Sequence, residues 1–216
     1  MRPVSSKRLG RVGALAAVLL AGTAGAQPYP GPGERPAANP IDRTVRSVLR
    51  SGDNRGRPFI VVDKRSAQVV AFGPNGELLG ETPALLGSAR GDDSAPWIGE
   101  RELSDIRPSE RTTPAGRFEA GLGPNAAGRQ VLWVDYEDAI SLHPVINTSR
   151  SERRPERLAS PTAADNRISY GCINVPPAFF AGVVRPAFAR GGVVYILPES
   201  RTFAEVFPRL TRRWRG

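Results

Sequence analysis

Short runs of β-branched and aromatic residues, broken by Gly, Pro, Asn and Asp, predict a mainly β domain: a sheet-rich sandwich or barrel with a few short helices. Helical spacing is confined to one segment ahead of these runs, to 176–190 and to the chain beyond Thr202. From Pro40 onward about 175 residues remain, enough for one domain with its own core and too few for two.

The first 26 residues stand apart. Arg2, Lys7, Arg8 and Arg11 come first, then an apolar run from Val12 to Leu20, then Ala24-Gly25-Ala26. That order is the pattern of a secretory signal peptide cleaved before Gln27. The apolar run is far shorter than the roughly 20 residues of a spanning helix, so no stable membrane insertion is expected after cleavage. The segment carries four basic side chains and no acidic one, so its removal lowers the formal net charge from +9 to +5. The remaining arginines cluster at 150–157 and 209–215; Glu152 and Glu156 interleave with the first cluster, as on a solvated charged face. The polyanions outside a cell are lipid head groups and wall polymers, so the expected location is the periplasm or cell wall and nucleic acid is not an expected partner.

Residues 27–40 hold five prolines and read as a linker. In 41–56, Ile41, Val45, Val48 and Leu49 recur at helical spacing after Asn39-Pro40, with Asp42, Arg43 and Arg46 on the other side, which predicts a short amphipathic helix and lead-in. The main domain spans 57–200. Its strand-like runs are 59–62, 68–72, 77–86, 116–122, 130–135, 139–143 and 192–197, with turns at Asp63-Lys64 and Gly73-Pro74-Asn75-Gly76. The polar stretch 87–113 is long for a loop and reads as a lid or substrate-binding flap. Residues 201–216 form a basic C-terminal tail.

The chain has one cysteine and one histidine. An exported domain stapled by disulfides carries cysteines in even number, so Cys172 is unpaired within the chain, and either burial or chemistry must account for it. It sits in Arg167-Ile168-Ser169-Tyr170-Gly171-Cys172-Ile173-Asn174-Val175-Pro176, between a charged loop and a helix opened by Pro176-Pro177. A thiol just after a glycine, in a turn, can present its sulfur where backbone N–H groups converge, which stabilises both thiolate and a developing oxyanion. An ordinary thiol is only a few per cent ionised at neutral pH and gains from a base within hydrogen-bond reach. His143, at the end of the run 139–143, is the one imidazole available; a histidine satisfied in the core or at the surface is the alternative. One His and one Cys fall short of a zinc site and no HExxH or CxxC spacing occurs, so neither metal nor cofactor is expected.

These residues resemble the L,D-transpeptidase catalytic domain family, the YkuD-like domain. Ser141-Leu142-His143 and Ser169-Tyr170-Gly171-Cys172-Ile173-Asn174 match its histidine at a strand end and its downstream Ser-His-Gly-Cys-hydrophobic-Asn/Arg segment. Thr113-Pro114-Ala115-Gly116-Arg117-Phe118 matches its Thr-Pro-x-Gly-x-Phe turn, and the likeness runs from about Phe59 to Pro198. Two departures stand out: Tyr170 replaces the usual histidine, and the stretch between His143 and Ser169 is lengthened by the arginine-rich insert 150–157.

The resemblance implies a YkuD-like fold and a cysteine acyltransferase acting on peptidoglycan stem peptides, in cell wall biogenesis and cell shape. It implies Cys172 as nucleophile, His143 as base, the Pro144 carbonyl as holder of the imidazole Nδ1–H, and the N–H groups of Tyr170, Gly171 and Cys172 as oxyanion donors. A second stem would resolve the thioester as a 3→3 crosslink, an envelope protein as an anchor, and water as L,D-carboxypeptidase or endopeptidase activity. Ser169 and Asn174 are candidate neighbours that stabilise the turn. Arg167 is a candidate for bidentate binding of a stem carboxylate, or else a solvated loop arginine. A non-catalytic peptidoglycan-binding module, favoured by Tyr170, and a papain-like protease are the competing readings.

Overall fold

A computed structural model describes residues 39–146 and 149–211. The expected signal peptide and all of the linker before Asn39 lie outside the described residues. Helix α1 (Pro40–Ser51) opens where Asn39 accepts a hydrogen bond from the Ile41 N–H, with Pro40 in the first turn, and it closes at Gly52 in the left-handed region.

The chain then builds β1 (Phe59–Asp63), β2 (Gln68–Phe72), β3 (Leu78–Pro83), β4 (Leu86–Gly87), β5 (Gly116–Pro124), β6 (Gln130–Asp135), β7 (Ile140–Pro144), β8 (Arg167–Ser169), β9 (Ile173–Val175) and β10 (Gly192–Ile196). Eight strands form one sheet in the order β3-β2-β1-β10-β5-β6-β7-β9, while β4 and β8 pair separately. The β1–β10 and β7–β9 pairs are parallel and the remaining pairs of the large sheet are antiparallel. Strand β5 changes partner midway: Gly116 to Ala120 pair with β10, and Gly121 to Pro124 pair with β6. Asn174 of β9 exchanges two backbone hydrogen bonds of 2.8 Å with Leu85, just beyond β3, so the sheet curls back nearly to closure.

Alternation along β1 explains why its whole run is apolar. Ile60 and Val62 enter the core within the curl, with Leu132, Leu142, Ile173, Val194 and Phe188. Phe59 and Val61 point the other way, against Ile41, Val45 and Val48 of α1 and against Phe207 and Leu210 near the C-terminus. The segment read as a tail therefore completes the second core layer, through α5 (Phe203–Val206) and α6 (Pro208–Thr211).

Several expectations are corrected. The run 77–86 divides into β3 and β4, with Pro83 at the end of β3. The arginine-rich insert keeps Arg150, Arg153 and Glu156 exposed, and it also folds into a 3-10 turn (Arg150–Glu152) and the short helix α2 (Arg154–Leu158). The expected helix 176–190 is α3 (Pro177–Phe179), a π turn (Phe180–Val184) and α4 (Arg185–Ala187), the ladder changing register just before Pro186, which has no N–H to donate. Stretch 87–113 carries three 3-10 turns (Ile98–Glu100, Leu103–Asp105, Pro108–Glu110). Among the described residues no helix is long and apolar enough to cross a membrane.

Candidate active site

The parallel pairing of β7 with β9 brings the two distant motifs together: Leu142 pairs with Ile173 and His143 with Asn174. Cys172, one residue ahead of β9, thereby lies beside Ser141, whose Oγ is 3.6 Å from the cysteine Sγ; the sulfur is also 3.6 Å from the Ala139 carbonyl. The thiol is in a half-buried residue rather than in the sealed core.

The turn between β8 and β9 is tied down from both sides. Ser169 Oγ donates to the Cys172 carbonyl at 2.6 Å and accepts from the Gly171 N–H at 3.1 Å. Thr113 Oγ1 donates to the Gly171 carbonyl and accepts from the Gly87 N–H, both at 2.8 Å. Gly171 has φ +134°, and a Cβ there would lie 2.8 Å from both Ile140 Cδ1 and the Thr112 carbonyl oxygen. Only glycine fits this bend.

His143 Nδ1 lies 2.8 Å from the carbonyl oxygen of Pro144. A carbonyl can only accept, so Nδ1 carries the proton and Nε2 is the basic nitrogen. Nε2 is 3.1 Å from Asn174 Nδ2, and Asn174 Oδ1 accepts from Arg154 Nη1 at 2.6 Å. Arg154 also donates through Nε to Glu152 at 2.6 Å. Burial lowers the basicity of the imidazole, but the Cys172 sulfur and the Pro144 carbonyl outweigh it and hold His143 above its ordinary value, with Arg154 opposing. Burial likewise pushes the Cys172 thiol up, but His143 and Ser141 outweigh it and the thiol stands below its ordinary value. Thiol and imidazole thus pull one another toward an ion pair at a half-buried position.

The other expected residues have definite places. The Tyr170 ring is covered by the Arg111 guanidinium, 3.9 Å from its centroid, and Arg111 is itself held by the Ile106 carbonyl at 3.0 and 3.2 Å. The Gly171 N–H is committed to Ser169, so it is withdrawn from the expected set of oxyanion donors; the N–H groups of Tyr170 and Cys172 meet no acceptor among the described residues. Arg167 is not free for a stem carboxylate: it donates to Glu199 Oε2 and to the Lys64 carbonyl, both at 2.7 Å, and is almost fully buried.

Sequence reasoning missed three supports. Ser141 and Thr113 were visible only as parts of motifs, and Arg154 only as one arginine among several. Behind Thr113 lies a fourth group, Lys64, whose ammonium is fully buried and donates to the Gly91 carbonyl at 2.5 Å, Asp92 Oδ1 at 2.8 Å and the Thr113 carbonyl at 2.9 Å. Asp92 in turn accepts from the N–H groups of Glu199, Ser200 and Arg201. The base of the 87–113 stretch is therefore fixed to the body of the domain.

Fold and site define a mainly β domain that presents a thiol beside an imidazole. No family model and no curated protein matches the sequence. Among solved structures the chain is similar to the L,D-transpeptidase from Mycobacterium smegmatis, at 18% identity and a TM-score of 0.39, over 65% of this chain and 58% of that one. It is similar to the helical cell shape determining protein Pgp2 from Campylobacter jejuni, at 13% identity and a TM-score of 0.44, over 72% and 55%. It is also similar to the catalytic domain from E. faecium L,D-transpeptidase, at 19% identity and a TM-score of 0.33, over 66% and 98%. The chain thus spans under two thirds of the length of the first two.

Proposed function

We propose that this chain is an exported cysteine acyltransferase acting on peptidoglycan stem peptides, with Cys172 as nucleophile and His143 as base. The observation that carries the reading is the β7–β9 register, which sets an imidazole with a basic Nε2 next to a lowered thiol in a turn that only glycine can make. The substrate class comes from the likeness of the motifs around His143 and Cys172 to those of the L,D-transpeptidase family.

In the proposed reaction, the Asn174 N–H releases His143 Nε2, which takes the Cys172 proton as Sγ adds to the carbonyl carbon of the stem's dibasic residue. The N–H groups of Tyr170 and Cys172 receive the oxyanion. The amide C–N bond then breaks, the departing D-alanine amine takes the proton from Nε2, and a thioester remains on Cys172. An acceptor amine adds to the thioester, returns a proton to Nε2 and expels the thiolate, forming a new amide. Water in place of the amine gives a carboxylic acid and hydrolysis.

The test is mass spectrometry of the protein incubated with a carbapenem and, separately, with tetrapeptide muropeptides. The expected results are an adduct on the peptide containing Cys172, absent in Cys172→Ala, and a crosslinked or shortened stem. Folded protein that forms neither adduct nor product overturns the reading in favour of a wall-binding module without chemistry.

A further inference from the structure

Four polar groups run in a single hydrogen-bonded line from the arginine-rich insert to the imidazole, and each link has only one permitted direction. Glu152 can only accept, so it takes the Arg154 Nε–H at 2.6 Å. A guanidinium can only donate, so the atom of Asn174 that meets Arg154 Nη1 at 2.6 Å must be its oxygen. That fixes the amide: its NH2 end must face His143 Nε2, 3.1 Å away. An NH2 group can only donate, so Nε2 must be bare, and the ring proton sits on Nδ1 against Pro144.

We propose that Arg154 is a positioning residue that, by pinning the Asn174 side-chain oxygen, reinforces the Nδ1–H tautomer of His143 held by the Pro144 carbonyl and restrains formation of the imidazolium. The proposal rests on the reading of His143 as the base for Cys172, and it gives the insert a task in the chemistry. With a proton on Nε2, two donors would face one another across 3.1 Å. Asn174 would have to turn its oxygen inward, and Arg154 forbids that turn. Without Arg154 the amide is free to flip, accept from Nε2–H and stabilise the imidazolium. Among the described residues, the charged and titratable groups that face His143 are Cys172, from the turn between β8 and β9, and Arg154, from α2 and backed by Glu152. Flanking β6 offers Leu132 opposite Leu142, and β9 offers Asn174; neither is charged. Arg154 and Cys172 therefore set the balance between them, in opposite senses.

His143 is the sole histidine of the chain, so its ring nitrogens are assigned without further labelling. The experiment is long-range 1H–15N correlation NMR of the chain from Gln27 onward, prepared without a histidine tag, titrated as wild type, Arg154→Met, Asn174→Ala and the double variant. The wild type is expected to give the Nδ1–H pattern above its titration midpoint. Arg154→Met is expected to move that midpoint up by roughly one pH unit, about a tenfold gain in imidazolium at a given pH. In the Asn174→Ala background the same change is expected to move it by less than half as much, since only the direct Coulombic part survives.

Iodoacetamide labelling of Cys172 across the same range gives an independent reading. Its onset should move to lower pH in Arg154→Met, the reverse of what simple loss of a nearby cation does to a thiol. An Nε2–H tautomer in the wild type, an unmoved midpoint in Arg154→Met, or an equal shift with and without Asn174 overturns the proposal while leaving the base assignment standing. An alkylation profile that is unchanged in His143→Ala overturns the base assignment itself, and this proposal with it.

Discussion

Thr113 and Gly171, 58 positions apart, are joined by a buried hydrogen bond of 2.8 Å from the threonine hydroxyl to the glycine carbonyl. The same hydroxyl accepts from the Gly87 N–H, so one side chain spans the flap base and the nucleophile turn. In Thr113→Val the shape is kept but a buried donor and a buried acceptor lose their partner. The expected cost is about 2–3 kcal/mol in urea unfolding, with slower carbapenem acylation of Cys172 because the turn loosens. Unaltered stability would mean that water or another group satisfies both atoms.

Gly171→Ala should be worse for the chemistry than for the fold. The φ of +134° belongs to a region that side chains avoid, at a cost of about 1–3 kcal/mol, and the new methyl would press on Ile140 and the Thr112 carbonyl. Relief requires the turn to move, which shifts Cys172 off its place beside Ser141. We expect a folded protein by circular dichroism whose acylation rate falls by at least about 10²-fold, the scale of misplaced reacting groups. A wild-type rate in Gly171→Ala would show that the bend does not set the thiol's position.

For Tyr170 the expectation is mildness. Its ring packs under Arg111, and the proposal asks only its backbone N–H to act on the substrate. Tyr170→Phe and Tyr170→His keep a planar ring, so acylation is expected within about tenfold of wild type, roughly 1.4 kcal/mol in barrier. A loss of several orders of magnitude in Tyr170→Phe would instead assign the phenol a direct part.

Asp92 links stability to pH. Burial pushes its carboxyl up, but Lys64, Ser200 and the N–H groups of Arg201 and Glu199 outweigh it, and the carboxyl ends well below the ordinary range. A carboxylate whose folded value is depressed contributes stability that is present above its unfolded value, about 4, and is lost as pH falls below that. Asp92→Asn removes the nearer of the two carboxylates beside the buried Lys64 ammonium and leaves Glu199 at 3.9 Å, so the expected loss is destabilising but below the roughly 3–5 kcal/mol of a wholly unpaired buried charge. Urea midpoints taken from neutral pH down to about pH 2 should fall less steeply in the variant than in the wild type. Parallel acid limbs would assign the acid sensitivity to other carboxylates.

How much of this was legible in the residues depends on sequence separation. The continuous apolar run of β1 and the cap and periodicity of α1 announce themselves locally, and both fall where expected. Strands β8 and β9 are three residues each, and nothing in Arg167-Ile168-Ser169 or Ile173-Asn174-Val175 marks a strand until β4 and β7 lie alongside. The same separation governs the site. His143 and Cys172 could be singled out because each residue type occurs once in the chain, but Arg167 was misread because Glu199, 32 positions away, is what claims it. Arg154 offered no signal at all, since its meaning comes from Asn174, 20 positions on.

The change of partner midway along β5 has a mechanical consequence. Within the eight-stranded ladder, the half of the sheet beneath α1 and the half bearing His143 and Cys172 are joined through the backbone of this one strand, while the Leu85–Asn174 bridge and the β4–β8 pair link them on the other side. Neither half can peel away without stripping hydrogen bonds from the other's border strand, so melting of the scaffold and loss of the thiol's surroundings are one cooperative event. A heat-capacity trace with a single peak, superimposed on the loss of carbapenem reactivity, is what such a shared spine produces.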